Sequence, residues 1–472
     1  MTTNPGNGTI KDPILIRNGK IISDIYTGTG DLLISGGKVV ACGIAITLPP
    51  GRKAIEIDAA GHLVFPGGVD AHVHFNLPTP VGNSVDGFEN GSTAGIAGGT
   101  TTFIDFVTPA KGQSLIKAFA ERKEEAKNSR ADFGLHMSLT SWKNEYNKEV
   151  QECIEMGISS FKVYLAYKKT VGVEDKDLVR ISDSVRRYGG LLMAHCENGD
   201  LISFLQQKFF ASKKREARYH AASRPPFVEA EAVFKMISYS EAMGIPLYIA
   251  HVSTQDSIKL IRRAKERGVK VICETCPQYL VLDQSVYNEP QETAIGYICS
   301  PPLREKYHNE QLWKAISTGV ADVVSTDHCP FSLKNQKIAG LQDFRKVPNG
   351  LMGIEERLSI LYTAGVRTGK IPLKKFVDLV SIQPAKIFGM YPQKGSFVTG
   401  ADADVVIWDT NASFTVNSTS KYAKADYNVY AGMELTGRPL MVIQRGQITF
   451  EKGKFVSQVQ GGFIFRNETA LI

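Results

Sequence analysis

The 472-residue sequence has no apolar stretch of about 18 residues, so no segment reads as a membrane-spanning helix. It also lacks a strong excess of either charge. Its 55 Lys and Arg against 48 Asp and Glu leave a net +7, too mild over this length to call for a nucleic-acid partner. Cysteine is sparse, and the seven residues have no framework spacing, which reads as reduced thiols and excludes a disulfide scaffold. The opening MTTNPGNGTIKDP lacks the charged and apolar regions of a secretory signal. With the thiols, this leads us to expect a cytoplasmic protein. No low-complexity tract is present. Apolar residues at 43% and charged residues at 22% are those of an ordinary globular chain, long enough to bury a large core without staples. Length alone suggests about three domains. Histidine is scarce too, at nine residues, yet two of them are the near neighbours His72 and His74.

Two kinds of texture alternate along the chain. Residues 1–61 contain short strand-like runs broken by glycine turns, such as PILIRNG and DLLISGGKVVACG. Residues 391–456 repeat that texture in ADADVVIWD and GRPLMVIQRGQITFEKGKFV. One β-sandwich assembled from both ends would enclose everything between; the alternative is two small β domains, each marginal alone. Residues 62–390 instead alternate apolar strands with amphipathic helices. The strands are LVFPGGVDAHVH, TTFIDFV, FGLHMSL, SFKVYLA, LLMAHC, LYIAHV, VICETC and DVVSTDHC, at roughly thirty-residue intervals. Eight βα units imply a closed parallel barrel. The last stretch, 457–472, reads as a tail, and its apolar Phe463-Ile464-Phe465 suits packing on another subunit.

Active sites of such barrels sit at the C-terminal ends of the strands, and the unusual polar residues fall there. His72 and His74 share one face of the first strand, as alternate strand residues do, and two imidazoles on one face suit a metal ion. On the fourth strand, Phe161, Val163 and Leu165 would face the helices, which turns Lys162 inward. A buried amine has its pKa lowered or is chemically altered. A Schiff-base lysine, a lysine carboxylated by CO2, or one paired with a carboxylate all satisfy that position. His195, His251 and Asp327 close the fifth, sixth and eighth strands after the apolar runs LLMA, LYIA and VVST. Four of nine histidines, a lysine and an aspartate converging this way point to a binuclear metal site. Imidazole and carboxylate donors suit Zn2+, with Mn2+ or Co2+ as other occupants. Cys273-x-x-Cys276 lies in strand-like sequence without a partner pair and reads as two buried thiols. Lys213-Lys214-Arg215 reads as a solvated helix face, and Gly98-Gly99-Thr100 as a turn before a strand.

Nine segments, FPGGVDAHVHF, AGGTTTFIDFV, SFKVYLAYK, LLMAHCENGD, LYIAHVS, ETCPQYLVLD, CSPPLR, STDHCPF and PNGLMGIEERL, occur in an order and spacing that resemble the cyclic amidohydrolases, most closely the dihydropyrimidinase and D-hydantoinase branch. The resemblance runs nearly end to end. It implies an α/β fold, a distorted (β/α)8 TIM barrel plus a β-sandwich from both termini. It implies that His72, His74 and Asp327 hold one metal ion, that His195 and His251 hold the other, and that carboxylated Lys162 bridges them beside a hydroxide. Tyr167 would face the substrate carbonyl oxygen, and the backbones of Ser300 and Asn349 would pair with the ring amide. Asp327 would carry the proton from hydroxide to leaving nitrogen. The implied reaction opens dihydropyrimidines or 5-substituted hydantoins to N-carbamoyl amino acids, and the implied assembly is a homotetramer around small-molecule chemistry. Dihydroorotases carry Arg two residues after the second His; here that residue is Asn76, as in allantoinases, which lack the tyrosine. Allantoin is therefore the alternative substrate. The non-enzymatic relatives have lost metal ligands, whereas every ligand position is filled here. The stretch LPTPVGNSVDGF after His74 departs from the family pattern and is expected to shape the pocket.

Overall fold

The computed structural model describes residues 12–48 and 50–467. The opening residues 1–11, read above for a signal, and the closing residues 468–472 lie outside them.

Eight strands form one parallel sheet in which each strand pairs with the next along the chain: Gly68–Val73, Thr100–Val107, Asp132–Ser138, Ser160–Tyr164, Leu191–His195, Leu247–Ile249, Val271–Thr275 and Val323–Val324. A parallel bridge between Val73 and His328 closes the barrel, and the His74 N–H donates to the His328 carbonyl at 2.8 Å. The strands are buried along nearly their whole length. This explains why they read as continuous apolar runs and not as alternating ones: helices cover the outside and side chains fill the inside. Those helices are amphipathic. Asp175–Arg187 buries Leu178, Ile181, Ser182 and Val185, at helical spacing, and Gln255–Glu266 buries Ile258, Ile261 and Ala264. The Thr254 hydroxyl accepts from the Ser257 N–H and starts the latter helix.

Both termini join in one continuous nine-stranded sheet. Leu63–Pro66 from the N-terminal half pairs antiparallel with Val405–Trp408 from the C-terminal half. Ile14, Ile16, Leu32, Ile34 and Val39 pack with Phe397, Val405, Ile407 and Ile443 in one core. The two ends thus make a single unit, as the first of the two sequence readings expects. One correction applies. LVFPGGVDAHVH, read as one barrel strand, is two: Leu63–Pro66 belongs to the terminal sheet and Gly68–Val73 to the barrel. The chain crosses at Gly67, where an added Cβ would lie 2.1 Å from the Thr101 hydroxyl oxygen. Only glycine permits that approach.

Lys394 ties the two units together. Its buried ammonium lies 2.6 Å from Asp132 at the start of the third barrel strand, 2.7 Å from Asp404 and 3.0 Å from Asp402. Burial opposes the charge, but the three carboxylates outweigh it and hold the pKa above the ordinary lysine value. Lys394→Met should leave three carboxylates buried together and cost about 3–5 kcal/mol, read as a fall in the denaturation midpoint.

As far as residue 467 the tail lies on its own barrel. The Ile464 N–H donates to the Phe133 carbonyl at 2.8 Å, and the buried Arg466 reaches Ser160 at 2.8 Å, while Phe465 stays exposed. Lys213-Lys214-Arg215 is solvated but sits on the turn after the helix Gly199–Ala211, not on it. All seven cysteines are free, and Cys273 and Cys276 are buried. Among the described residues, no helix is long and apolar enough to cross a membrane.

Candidate active site

A cavity of about 630 Å3 opens at the C-terminal ends of the barrel strands. His72, His74, Lys162, Tyr167, His195, His251, Ser300, Asp327 and Asn349 all line it, so the residues singled out in the sequence meet in one place. Three of them reach the cavity through left-handed backbone just beyond a strand: Tyr167 (φ 58°), His251 (φ 38°) and Asp327 (φ 53°). Such conformations are costly for side chains of this size and concentrate at functional sites.

Two clusters make up the floor. The Asp327 carboxylate lies 3.2 Å from both His72 Nε2 and His74 Nε2, and one donor atom from each of the three falls within 4.8 Å of the others. This is a donor set that can hold a divalent cation. In the other cluster, His195 Nδ1 faces His251 Nε2 at 3.0 Å. Lys162 is fully buried, 5.2 Å from the centre of the Phe106 ring, and among the described residues its Nζ has no hydrogen-bond partner. Burial pulls the amine toward its neutral form, against Glu274 and Asp327, which favour the charge. Burial also drives His72 and His251 well below the ordinary imidazole value, with Lys162 adding to the effect. Burial opposes ionisation of Asp327 too, but His72 and His74 bring it down to about 2. Neutral imidazoles beside an ionised carboxylate are the forms that bind metal. A buried amine without a partner is the anomaly that a bridging carbamate would resolve, so the residues present fit a two-metal centre.

Two carboxylates that we did not single out in the sequence orient the imidazoles. Glu274, the residue after Cys273, meets His72 Nδ1 at 2.7 Å and accepts from the His251 N–H at 2.9 Å and the Tyr248 hydroxyl at 2.6 Å. Burial raises its carboxyl to about 7, although Tyr248 and Lys162 hold it down. Glu197 faces His195 Nε2 at 2.9 Å and accepts from Arg224 at 2.8 Å. Burial works against its charge as well, but Arg224 and His195 bring it down to about 2. Carboxylates of this kind set the tautomer and direction of metal-binding histidines.

The walls differ from the floor. Tyr167 is half-buried, desolvation raises its hydroxyl pKa, and the Asn349 amide donates to that hydroxyl at 3.5 Å. Leu77, Pro78, Thr79, Pro80 and Val81, from the stretch that departs from the family pattern, line one side with Val171 and Val347. Asn76 is turned away from the cavity, toward Glu125 and Asn83.

Comparisons with known proteins converge on this arrangement. The amidohydrolase family profile matches residues 63–449. D-hydantoinase of Ralstonia pickettii is 39% identical over 457 residues, covering 96% of this chain and 99% of that protein. Dihydropyrimidinase of Rattus norvegicus is 36% identical, covering 98% of this chain and 90% of that protein. The crystal structure of dihydropyrimidinase from Brevibacillus agri NCHU1002 matches with a TM-score of 0.95 at 37% identity, over 98% of this chain and 100% of that one. L-hydantoinase (dihydropyrimidinase) from Arthrobacter aurescens matches at 0.87 and 30% identity, over 97% of this chain and 100% of that one. With the barrel, the terminal sheet and the histidine-lined floor already in place, these matches show that the chain belongs to the amidohydrolase family, in the branch of the D-hydantoinases and dihydropyrimidinases.

Proposed function

We propose that the protein hydrolyses the cyclic amide bond of dihydropyrimidines such as dihydrouracil and dihydrothymine, or of 5-substituted hydantoins, to N-carbamoyl amino acids. The observation that carries this reading is the convergence of four imidazoles, Asp327 and the partnerless Lys162 amine on the floor of one cavity. His72, His74 and Asp327 would hold one divalent ion and His195 and His251 the other, with Lys162, carboxylated by CO2, joining them. Zn2+ is the expected occupant, with Mn2+ or Co2+ as substitutes. When bound, the ions supply a water acidified to near neutral pH and a Lewis acid for the carbonyl oxygen.

The chain's own residues supply the rest. Tyr167 presents a buried hydroxyl, aimed to donate to the oxygen on which negative charge develops. Asp327 is ionised and takes the proton of the attacking water. It then returns the proton to the ring nitrogen as the C–N bond breaks, base first and acid second. The backbones of Ser300 and Asn349 orient the ring amide, and the apolar wall at 77–81 receives the exocyclic substituent. Tyr167→Phe should cut kcat by about 10²–10³, the cost of one oxyanion donor, while bound metal measured by elemental analysis stays at the wild-type level.

The reading is tested by incubating the metal-loaded protein with dihydrouracil, a 5-substituted hydantoin, allantoin and dihydroorotate, following ring opening. Opening of the first two supports it. Opening of allantoin alone would make the protein an allantoinase, and a chain that binds no metal and opens none of the four rings would make it a scaffold. We also propose a homotetramer, which sedimentation would read directly.

A further inference from the structure

Ser300 lies in a short segment whose other carbonyls are each taken by a buried donor. The Ile298 carbonyl accepts from Lys337 Nζ at 2.8 Å and from the Gly350 N–H at 3.1 Å. The Cys299 carbonyl is 2.7 Å from His220 Nε2, which must carry the proton because a carbonyl can only accept. The Pro301 carbonyl accepts from the Tyr279 hydroxyl at 2.7 Å. Among the described residues, no donor meets the Ser300 carbonyl, and Ser300 lines the cavity.

Lys337 is the least expected member of this set. It is 0% exposed, and among the described residues it forms no ion pair; its amine, brought down to about 7 by burial, makes only the bond to Ile298. Burying an amine for one carbonyl is costly whether or not it is charged, and an apolar side chain of the same volume would fill the space at less cost. The site of that bond offers a reason. Through the Ile298 carbonyl, Lys337 anchors both the peptide leading to Ser300 and the one following Asn349. That second peptide cannot move closer or carry a side chain, because a Cβ on Gly350 would lie 2.3 Å from the Cys329 carbonyl oxygen. The neighbouring Gln336 amide donates to the Asn83 carbonyl at 2.8 Å and the Val81 carbonyl at 3.3 Å, at the end of the wall segment. The turn at 336–337 therefore joins three sides of the cavity.

We infer that Lys337 and His220 are positioning residues that hold the Ser300 peptide so that its carbonyl is the one acceptor presented to the ring N–H of a cyclic amide. This inference rests on the function proposed above. Neither residue touches the substrate. They act by claiming the Ile298 and Cys299 carbonyls, the two that precede the Ser300 carbonyl, which fixes the direction of the next one.

The test compares Lys337→Met, His220→Leu and His220→Gln with wild type, all metal-loaded, on dihydrouracil and a 5-substituted hydantoin. Lys337→Met and His220→Leu should each raise KM about tenfold, the size of one well-placed hydrogen bond, with kcat less affected. Metal content and thermal midpoint should stay at or above wild type for Lys337→Met, because methionine preserves volume. The glutamine amide can still donate to the Cys299 carbonyl, so His220→Gln should recover most of the loss. Unmoved KM values in both variants would overturn the inference. So would a glutamine variant as impaired as the leucine one, or losses that only follow a lowered thermal midpoint. A wild-type protein that opens neither ring overturns the function and this inference together. Wild-type ring opening with unmoved KM overturns this inference alone.

Discussion

Lys162→Ala should reduce ring opening by a factor on the order of 10³ or more, because the centre that makes a nucleophile from water at neutral pH would be lost. Lys162 is on the fourth strand, fully buried, and among the described residues its amine has no hydrogen-bond partner. An isolated ammonium at such a place is held only at high cost, and burial shifts the group toward the neutral amine. A neutral amine can add to CO2 with release of a proton, and the resulting carbamate would be an anion able to serve metal ions held at both clusters of imidazoles. The peptide containing Lys162 should therefore carry the added mass of one CO2 in the metal-loaded protein, and the alanine variant should bind little metal. A short carboxylate such as propionate, added in excess, should restore part of the activity of Lys162→Ala by occupying the vacated space. An unmodified lysine in fully metal-loaded, active protein would remove the bridging role.

Asp327→Asn should lower kcat by about 10²–10⁴, the range for loss of a general acid–base group, and should weaken metal binding as well. Asparagine keeps the shape of the side chain but removes both its charge and its basicity. The carboxylate sits 3.2 Å from each of His72 and His74. Although burial disfavours its charge, those imidazoles bring it down to about 2. It is therefore ionised when the attacking water must lose a proton. Reading kcat alongside metal per chain separates its two tasks. Full metal with lost turnover isolates the proton role. Full metal with retained turnover would contradict it.

Much of this site was legible in the sequence because the barrel imposes a simple rule. Strands buried on both faces read as apolar runs, so a His, Lys or Asp at the end of such a run stands out, and the topology brings those ends together. The partners that orient the histidines obey no such rule. Glu274 meets His72 across 202 positions of sequence, and it sits between two cysteines that drew attention to themselves. Arg224 lies in the connection between two helices, the last of which begins at Pro226, and only folding puts it beside Glu197. The split at Gly67 was signalled by Pro66-Gly67-Gly68, but an uninterrupted apolar pattern on both sides concealed it. The tail read as a subunit arm because its apolar residues needed cover. The barrel of its own chain supplies that cover for Ile464, and sequence alone does not say which surface will.

The function proposed here requires a two-metal centre on this cavity floor to open cyclic amides. The most direct test is to strip the protein of metal with a chelator and titrate Zn2+ back while measuring the initial rate of dihydrouracil opening. Almost no turnover is expected in the stripped protein, with activity rising to a plateau as two ions per chain are bound. Undiminished ring opening in protein shown to be free of metal would contradict it.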